Sequence, residues 1–466
     1  SRTITMMGYW RAIVRERTSI APDSDYFSVL DSSCSRMLNR VVSMFIQSVS
    51  RRQLWSWAEW LYASIVIFAL TQGPIYQLWR ESALTSVRPG VRGIDASIIA
   101  TFLALQLPGV MLFGRRVKFA GFFSKVTTPL LFLVGWLVVS VIWATLSRHT
   151  FIEAVALATT VIFGLYLAES FGTRRLVLAV FAAMQAGVVL SLYAVSRSWV
   201  SSASDSGDSW AGIYFNRNSL GPVAAVGLLC ALSLAATRWH TWWRPPMLSM
   251  AYVLSAGLDA YVLIKSRSQT SQIFVVAAGF MTLVLFVANH TFGKSEKTSR
   301  VVSTFLTAVV GLAVTAIYVL GDRVVVFLGE SSDINGRTQL WSFSWSGFLE
   351  KPIVGWGWLS AWHTPEFFKR DLFWTLTNDY WSHSTYLDIL LGGGVVAFVF
   401  FAVYVLLGLW RVSQYTGASP TRLVLVAFVV LVMLSMSQES FFIGSHFYTM
   451  LLVASMRSHE IRAREV

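Results

Sequence analysis

The hydrophobic and polar positions of this chain fall in long blocks: apolar runs near twenty residues, separated by short polar or turn-rich connections. A helix of about 20 residues crosses a hydrocarbon core, so each run reads as a membrane span. The pattern predicts twelve, near 55–79, 96–113, 127–146, 151–170, 174–195, 218–237, 246–264, 271–289, 301–320, 385–409, 422–437 and 441–456. Gly73-Pro74 interrupts the first, and the last two are short enough to be partly re-entrant. The predicted class is all-α: a polytopic integral membrane protein of about twelve transmembrane helices.

Residues 1–53 lack a span-length run, so they read as a basic N-terminal arm and not as a cleavable signal peptide. Within it, Met37, Leu38, Val41, Val42, Met44 and Phe45 recur at helical spacing, which suits either an interfacial helix or a loosely ordered tail. Spans one to nine occupy 54–320, spans ten to twelve occupy 385–456, and 457–466 is a short tail. The one long connection is 321–384, and within it Leu340, Trp341, Phe343, Trp345 and Phe348 predict a short amphipathic helix on the membrane surface.

Charge orients the pattern. With the N-terminus inside, the inner segments hold 24 of the 37 Lys and Arg residues, so both termini are expected in the cytoplasm and the long loop on the outer face. In a bacterium that face has no ATP or nucleotide sugars, so chemistry there needs a substrate activated beforehand. Composition agrees with a membrane protein. The chain is 55% hydrophobic, has a mean hydropathy of +0.58 and is only 13% charged, against about a quarter in soluble domains. The net charge of +13 therefore fixes topology and meets anionic headgroups; no nucleic-acid motif accompanies it, and no nucleic-acid partner is expected. Cys34 and Cys230 lie in unlike surroundings and predict neither a disulfide nor a metal cluster.

Candidate chemistry gathers at the expected outer end. Arg267, in the very short connection Lys265-Ser266-Arg267-Ser268, runs against the charge bias; it is either a fixed cation for phosphate oxygens or a residue snorkelling to the headgroups, and Lys265 is a weaker companion. Arg337 opens the amphipathic segment, as a ligand-binding cation or a solvated loop charge pairing with Asp333. His383 stands at the entrance of span ten, one turn before Asp388 and beside Tyr380 and Tyr386, either capping a helix or acting as a general base with an orienting partner. Its competitors are His363 in the loop and His446 in the last span, and Glu439 at the outer end of span eleven is placed to face the same cavity. The Tyr214–Pro222 stretch offers Asn216, Asn218 or Ser219 as a helix cap, with Pro222 in an early turn. The triple glycine Gly392-Gly393-Gly394 reads as close helix packing. No nucleotide-binding glycine loop and no zinc-protease motif is present.

Several short pieces occur in a telling order: Asn216-Arg217-Asn218 with Leu220-Gly221, Ser266-Arg267, Gly336-Arg337 with Leu340-Trp341, then Pro352 with Gly355 and Gly357, and finally His383 with Tyr386-Leu387-Asp388 before the glycines. Together they resemble the bacterial O-antigen ligase/polymerase family, most closely its exopolysaccharide-polymerase branch, over about 55–456. The sequence departs from the common pattern at Ser384, where asparagine is usual, and at Leu390-Leu391, where an acidic residue is frequent.

The resemblance implies a GT-C-like membrane glycosyltransferase of the bacterial cytoplasmic membrane, inverting, metal-independent and without a cofactor. The donor would be a glycan on polyprenyl diphosphate, the acceptor a glycan or lipid-linked glycan, and membrane lipids, a chain-length regulator or a flippase would be its partners. By the same resemblance His383 would deprotonate the acceptor and Arg267 and Arg337 would hold the diphosphate. Lys265, Arg217, Asn216, Asp388, Tyr386, Trp341 and Glu439 would support them. Polymerisation of repeat units and ligation of a finished glycan both fit; transport of lipid-linked glycans also suits the spans and cations, although it needs no general base.

Overall fold

Backbone amides in lipid have no water to bond, so the apolar runs satisfy them internally as helices. In a computed structural model of the protein, the described residues are 51–78, 96–117, 123–197, 209–214, 216–238, 246–291, 337–364, 381–414 and 419–463, with single positions 301, 305, 309 and 367. Most of the expected arm, nearly all of the ninth span, the loop from 321 to 336, and Tyr380 lie outside them. The chain divides into two units, Ser1–Glu59 and Trp60–Val466; of the first, only the helical residues 51–59 are described.

The described elements are all helical: α1 (Arg51–Leu70), α2 (Gly73–Leu78), α3 (Ala96–Arg116), α4 (Thr127–Val139), α5 (Ser147–Ser170), α6 (Thr173–Ser196), α7 (Arg217–Arg238), α8 (Pro246–Ser266), α9 (Gln269–Thr291), α10 (Arg337–Glu350), α11 (Thr385–Gln414), α12 (Pro420–Ser435) and α13 (Phe447–Ala463). Among the described residues six helices are long and apolar enough to cross a membrane, α3, α5, α6, α7, α8 and α11, and shorter apolar helices run over Thr127–Ile142, Gln269–Val284 and Pro420–Ser435.

Helix α12 is the centre. Every residue from Leu423 to Ser435 is buried, as an all-round apolar helix must be. It packs on α7, α9 and α13, while α13 packs on α5, α5 on α3, α7 on α8 and α4 on α11. Helices α8 and α9 leave Val253, Leu254, Ile264, Ile273, Val276 and Phe280 exposed, a surface suited to lipid.

Three departures from the sequence pattern have local causes. The first expected span is two helices broken at Gln72, whose φ is 72°. The last helix begins at Phe447 instead of 441 and continues to Ala463 through Arg457, whose charge is met by Glu169 and Glu460. Between α12 and α13 lies a non-helical stretch, 436–446, tolerable in an apolar surrounding because side chains bond its backbone: Thr160 Oγ1 accepts from Ser445 N–H at 2.9 Å, and Thr449 Oγ1 lies 2.7 Å from the Phe441 carbonyl.

The third departure concerns the triple glycine, which breaks α11 instead of merely packing it. Gly394 has φ 68° and ψ −169°, a conformation essentially confined to glycine. The break lets the loop enter the helix: Trp356 and Gly357 N–H donate to the Leu391 and Gly392 carbonyls at 2.9 Å each, and Val395 N–H donates to the Pro352 carbonyl at 2.8 Å. A Cβ on Gly394 would strike the Ile353 carbonyl, and one on Gly355 would stand 2.6 Å from the Gly392 carbonyl carbon. Gly394→Ala is therefore expected to cost about 1–3 kcal/mol from backbone strain alone, plus the clash. A clear fall in melting temperature and in detergent-extracted yield would show this; an unchanged protein would contradict it.

Helix α10 forms where the amphipathic pattern places it. Its apolar face, with Leu340 and Phe343, packs on Trp356, Trp362, Phe367 and Leu391. The loop thus has its own small core seated on α11, which holds the entrance of α11 in place.

Candidate active site

The polar run Ser437-Gln438-Glu439-Ser440 follows α12 and meets the start of α11. Thr385 joins the two: its N–H donates to the Met436 carbonyl at 2.9 Å, its hydroxyl donates to the Glu439 carbonyl at 3.0 Å, and Phe441 N–H donates to that hydroxyl at 2.8 Å. This stitching brings His383 against Glu439, with Nδ1 2.8 Å from Oε2. An ionised carboxylate accepts only, so the contact calls for a proton on Nδ1, and in the neutral ring that leaves the lone pair on Nε2. The two side chains are 21% and 14% exposed, so the pair is partly open at the surface.

The pair continues across the bundle. Asn218 Nδ2, in the first turn of α7, lies 3.4 Å from Glu439 Oε1, and Ser268 Oγ donates to Asn218 Oδ1 at 3.3 Å. Ser268 follows Arg267 in the turn between α8 and α9, so His383, Glu439 and the arginine turn are linked at one end of the bundle. Arg267 is exposed there and holds φ 51°; His383 holds φ 50°. A left-handed backbone costs an L-residue about 1–2 kcal/mol and persists only where surroundings enforce it, most often at functional sites. Both leading candidates share this unusual state.

The remaining candidates take definite places. Asn216 caps α7, its Oδ1 accepting from Ser219 N–H at 2.9 Å, and Arg217 opens that helix. The segment before them is anchored by Tyr214, whose hydroxyl lies 3.2 Å from Thr71 Oγ1; burial pushes its phenol above the ordinary range, so it stays neutral. Lys265 Nζ stands 5.8 Å from the rings of both Trp210 and Tyr261, a cation held over aromatic faces beside the arginine turn. Tyr386 donates to the Met433 carbonyl at 2.9 Å and packs on Phe401, a structural contact. Trp341 is buried in α10. Arg337 begins α10, but its side chain, with Gly336 and Asp333, lies outside the described residues.

Of the carboxylates the sequence places near His383, Glu439 and not Asp388 meets its ring. Asp388 accepts from Ser382 N–H at 3.2 Å, Ser382 Oγ at 2.7 Å and Trp362 Nε1 at 3.3 Å, and from the Ser440 hydroxyl, while Glu439 takes the imidazole. Of the competing histidines, His446 is buried against Phe441 and accepts from Tyr448 N–H at 3.1 Å, and His363 meets His149 edge-on at 4.3 Å between ring centres. Asn218, Ser268, Ser382 and Ser440 join the site through packing alone, and nothing local in the sequence marks them as linked. Among the described residues no group of three or more His, Cys, Asp or Glu side chains is placed to hold a metal ion.

Residues 254–402 match the family model described as O-antigen ligase. The matched stretch includes Arg267, Arg337, His383 and Asp388 and excludes Asn218 and Glu439. No curated protein matches the chain.

Proposed function

We propose that this chain, whose residues 254–402 match the O-antigen ligase family model, joins glycan repeat units carried on polyprenyl diphosphate into a surface or exported polysaccharide. The observation that carries this reading is the His383–Glu439 pair, 2.8 Å apart, on the end of the bundle that also holds Arg267. The acceptor hydroxyl gives its proton to His383 Nε2 as its oxygen attacks the anomeric carbon of the donor. The bond from that carbon to the diphosphate oxygen breaks on the opposite face, the lipid diphosphate leaves with the electron pair, and the configuration inverts. Glu439 holds the imidazole in the useful tautomer and balances the charge it gains.

Arg267 and Arg337 bind the diphosphate, and a guanidinium fork matches its oxygens. Since the leaving group is already good, two cations and one base suffice without a metal. The site faces the outer side of the cytoplasmic membrane in a bundle of about twelve spans of GT-C-like topology, with both termini inside; the charge bias of the loops supports that orientation.

The test is glycan transfer from a purified lipid diphosphate donor in nanodiscs, with and without EDTA. Transfer that withstands EDTA supports the reading, and loss of activity restored by a divalent cation overturns its metal-free form. Arg267→Ala is expected to lower transfer about 10²-fold, the typical cost of one transition-state donor; full activity would remove Arg267 from the site. The description of the matching family favours a second reading, ligation of a finished glycan. A ladder of products growing by one repeat marks a polymerase, and a single transfer to a lipid or protein acceptor marks a ligase.

A further inference from the structure

Asp388 is buried, 3% exposed, and its two carboxylate oxygens meet neighbours of both members of the pair. Oδ1 accepts from the backbone and side chain of Ser382, the residue before His383, and Oδ2 accepts from the hydroxyl of Ser440, the residue after Glu439. Trp362 Nε1, from the loop core, adds a further bond to Oδ1 at 3.3 Å. Ser382 Oγ in turn accepts from Ser384 N–H at 3.1 Å, closing a turn around His383. One carboxylate thus ties together the chain entering α11, the chain leaving α12 and the loop. The left-handed backbone of His383 needs such enforcement, because the ordinary right-handed state is lower in energy, and it is in this left-handed state that the ring meets Glu439.

We propose that Asp388 is a positioning residue for transfer: it holds His383 in its left-handed turn and sets Glu439 in register with it, and it has no contact of its own with the reacting atoms. This rests on reading His383 as the base of a glycosyl transfer. Displacing a base by about 1 Å can cost 10²-fold in rate without changing substrate binding. Loss of the clamp therefore falls on kcat, while the arginine turn, on other elements, keeps its hold on the donor.

The experiment compares the full-length protein in nanodiscs with Asp388→Ala, Asp388→Asn, Glu439→Gln and the double variant Asp388→Ala/Glu439→Gln, using a lipid diphosphate glycan donor. Asp388→Ala is expected to lower kcat about 10–100-fold with donor KM within about threefold. Asp388→Asn keeps an oxygen for the Ser382 N–H and is expected to recover part of the loss; it also serves if the alanine variant fails to fold. In the Glu439→Gln background Asp388→Ala is expected to cost less than threefold, because the pair it aligns is already weakened. Equal costs in both backgrounds, a loss confined to donor KM, or full activity in Asp388→Ala would each overturn the proposal while leaving the transfer reading intact. Absence of transfer by the native protein would overturn both.

Discussion

His383→Ala is expected to lower glycan transfer by about 10²–10⁴-fold, the usual contribution of a positioned general base, while the protein still folds. The expectation of intact folding comes from the environment of the ring. Its side chain is 21% exposed and touches Glu439 and the exposed Trp381, so truncation leaves no deep cavity. The segment remains tied down by Thr385 and Ser382, neither of which uses the imidazole. Donor binding should persist, since the arginine turn between α8 and α9 is unaffected. Transfer and melting temperature measured on one preparation check both halves. Transfer equal to that of the native protein would remove His383 as base and move Glu439 to the front. Retained movement of lipid-linked glycan across the membrane, with no transfer by the native protein, would favour transport.

Arg457→Met is expected to cost about 3–5 kcal/mol of stability, the penalty for leaving buried charges without their partner. Arg457 donates through Nε to Glu169 at 2.9 Å and through Nη1 to Glu460 at 2.9 Å and to Thr127 Oγ1 at 3.2 Å, so it joins α13 to α5 and to the start of α4. Glu460 is 5% exposed at its side chain and also accepts from Ser124 Oγ at 2.5 Å. Adding Glu460→Gln should recover part of the loss, since one of the stranded charges is then gone. Thermal unfolding in detergent, followed by the fraction remaining monodisperse, measures this. If the single variant melts with the native protein, the cluster does not hold the helices; if the double variant is the less stable of the two, Glu460 is not the stranded charge.

The sequence by itself determined the all-helical membrane class, the short helix at the head of the loop domain, and His383, Arg267 and Glu439 as candidates. These rest on local signals: runs long enough to span lipid, apolar spacing along α10, and ionisable residues at the ends of apolar runs. The pairing within the site did not follow from such signals. Asp388 lies one turn beyond His383, yet a side chain in the first turn of a helix leans toward the N-terminus and reaches the preceding chain, which here is Ser382. The imidazole is turned instead toward Glu439, 56 residues away, by a left-handed backbone that no residue type at that position announces.

Tertiary structure decided the other features in the same way. The triple glycine is a break filled by loop amides, which becomes visible only when Pro352–Gly357 is seen bonded to it. Arg457 reads as a cytoplasmic tail charge until Glu169, 288 residues earlier, is found beside it. Periodicity records which face of a helix avoids water, and it reports that wherever a single element decides it. Which two polar groups meet depends on how several helices pack, and that information is distributed over the whole chain.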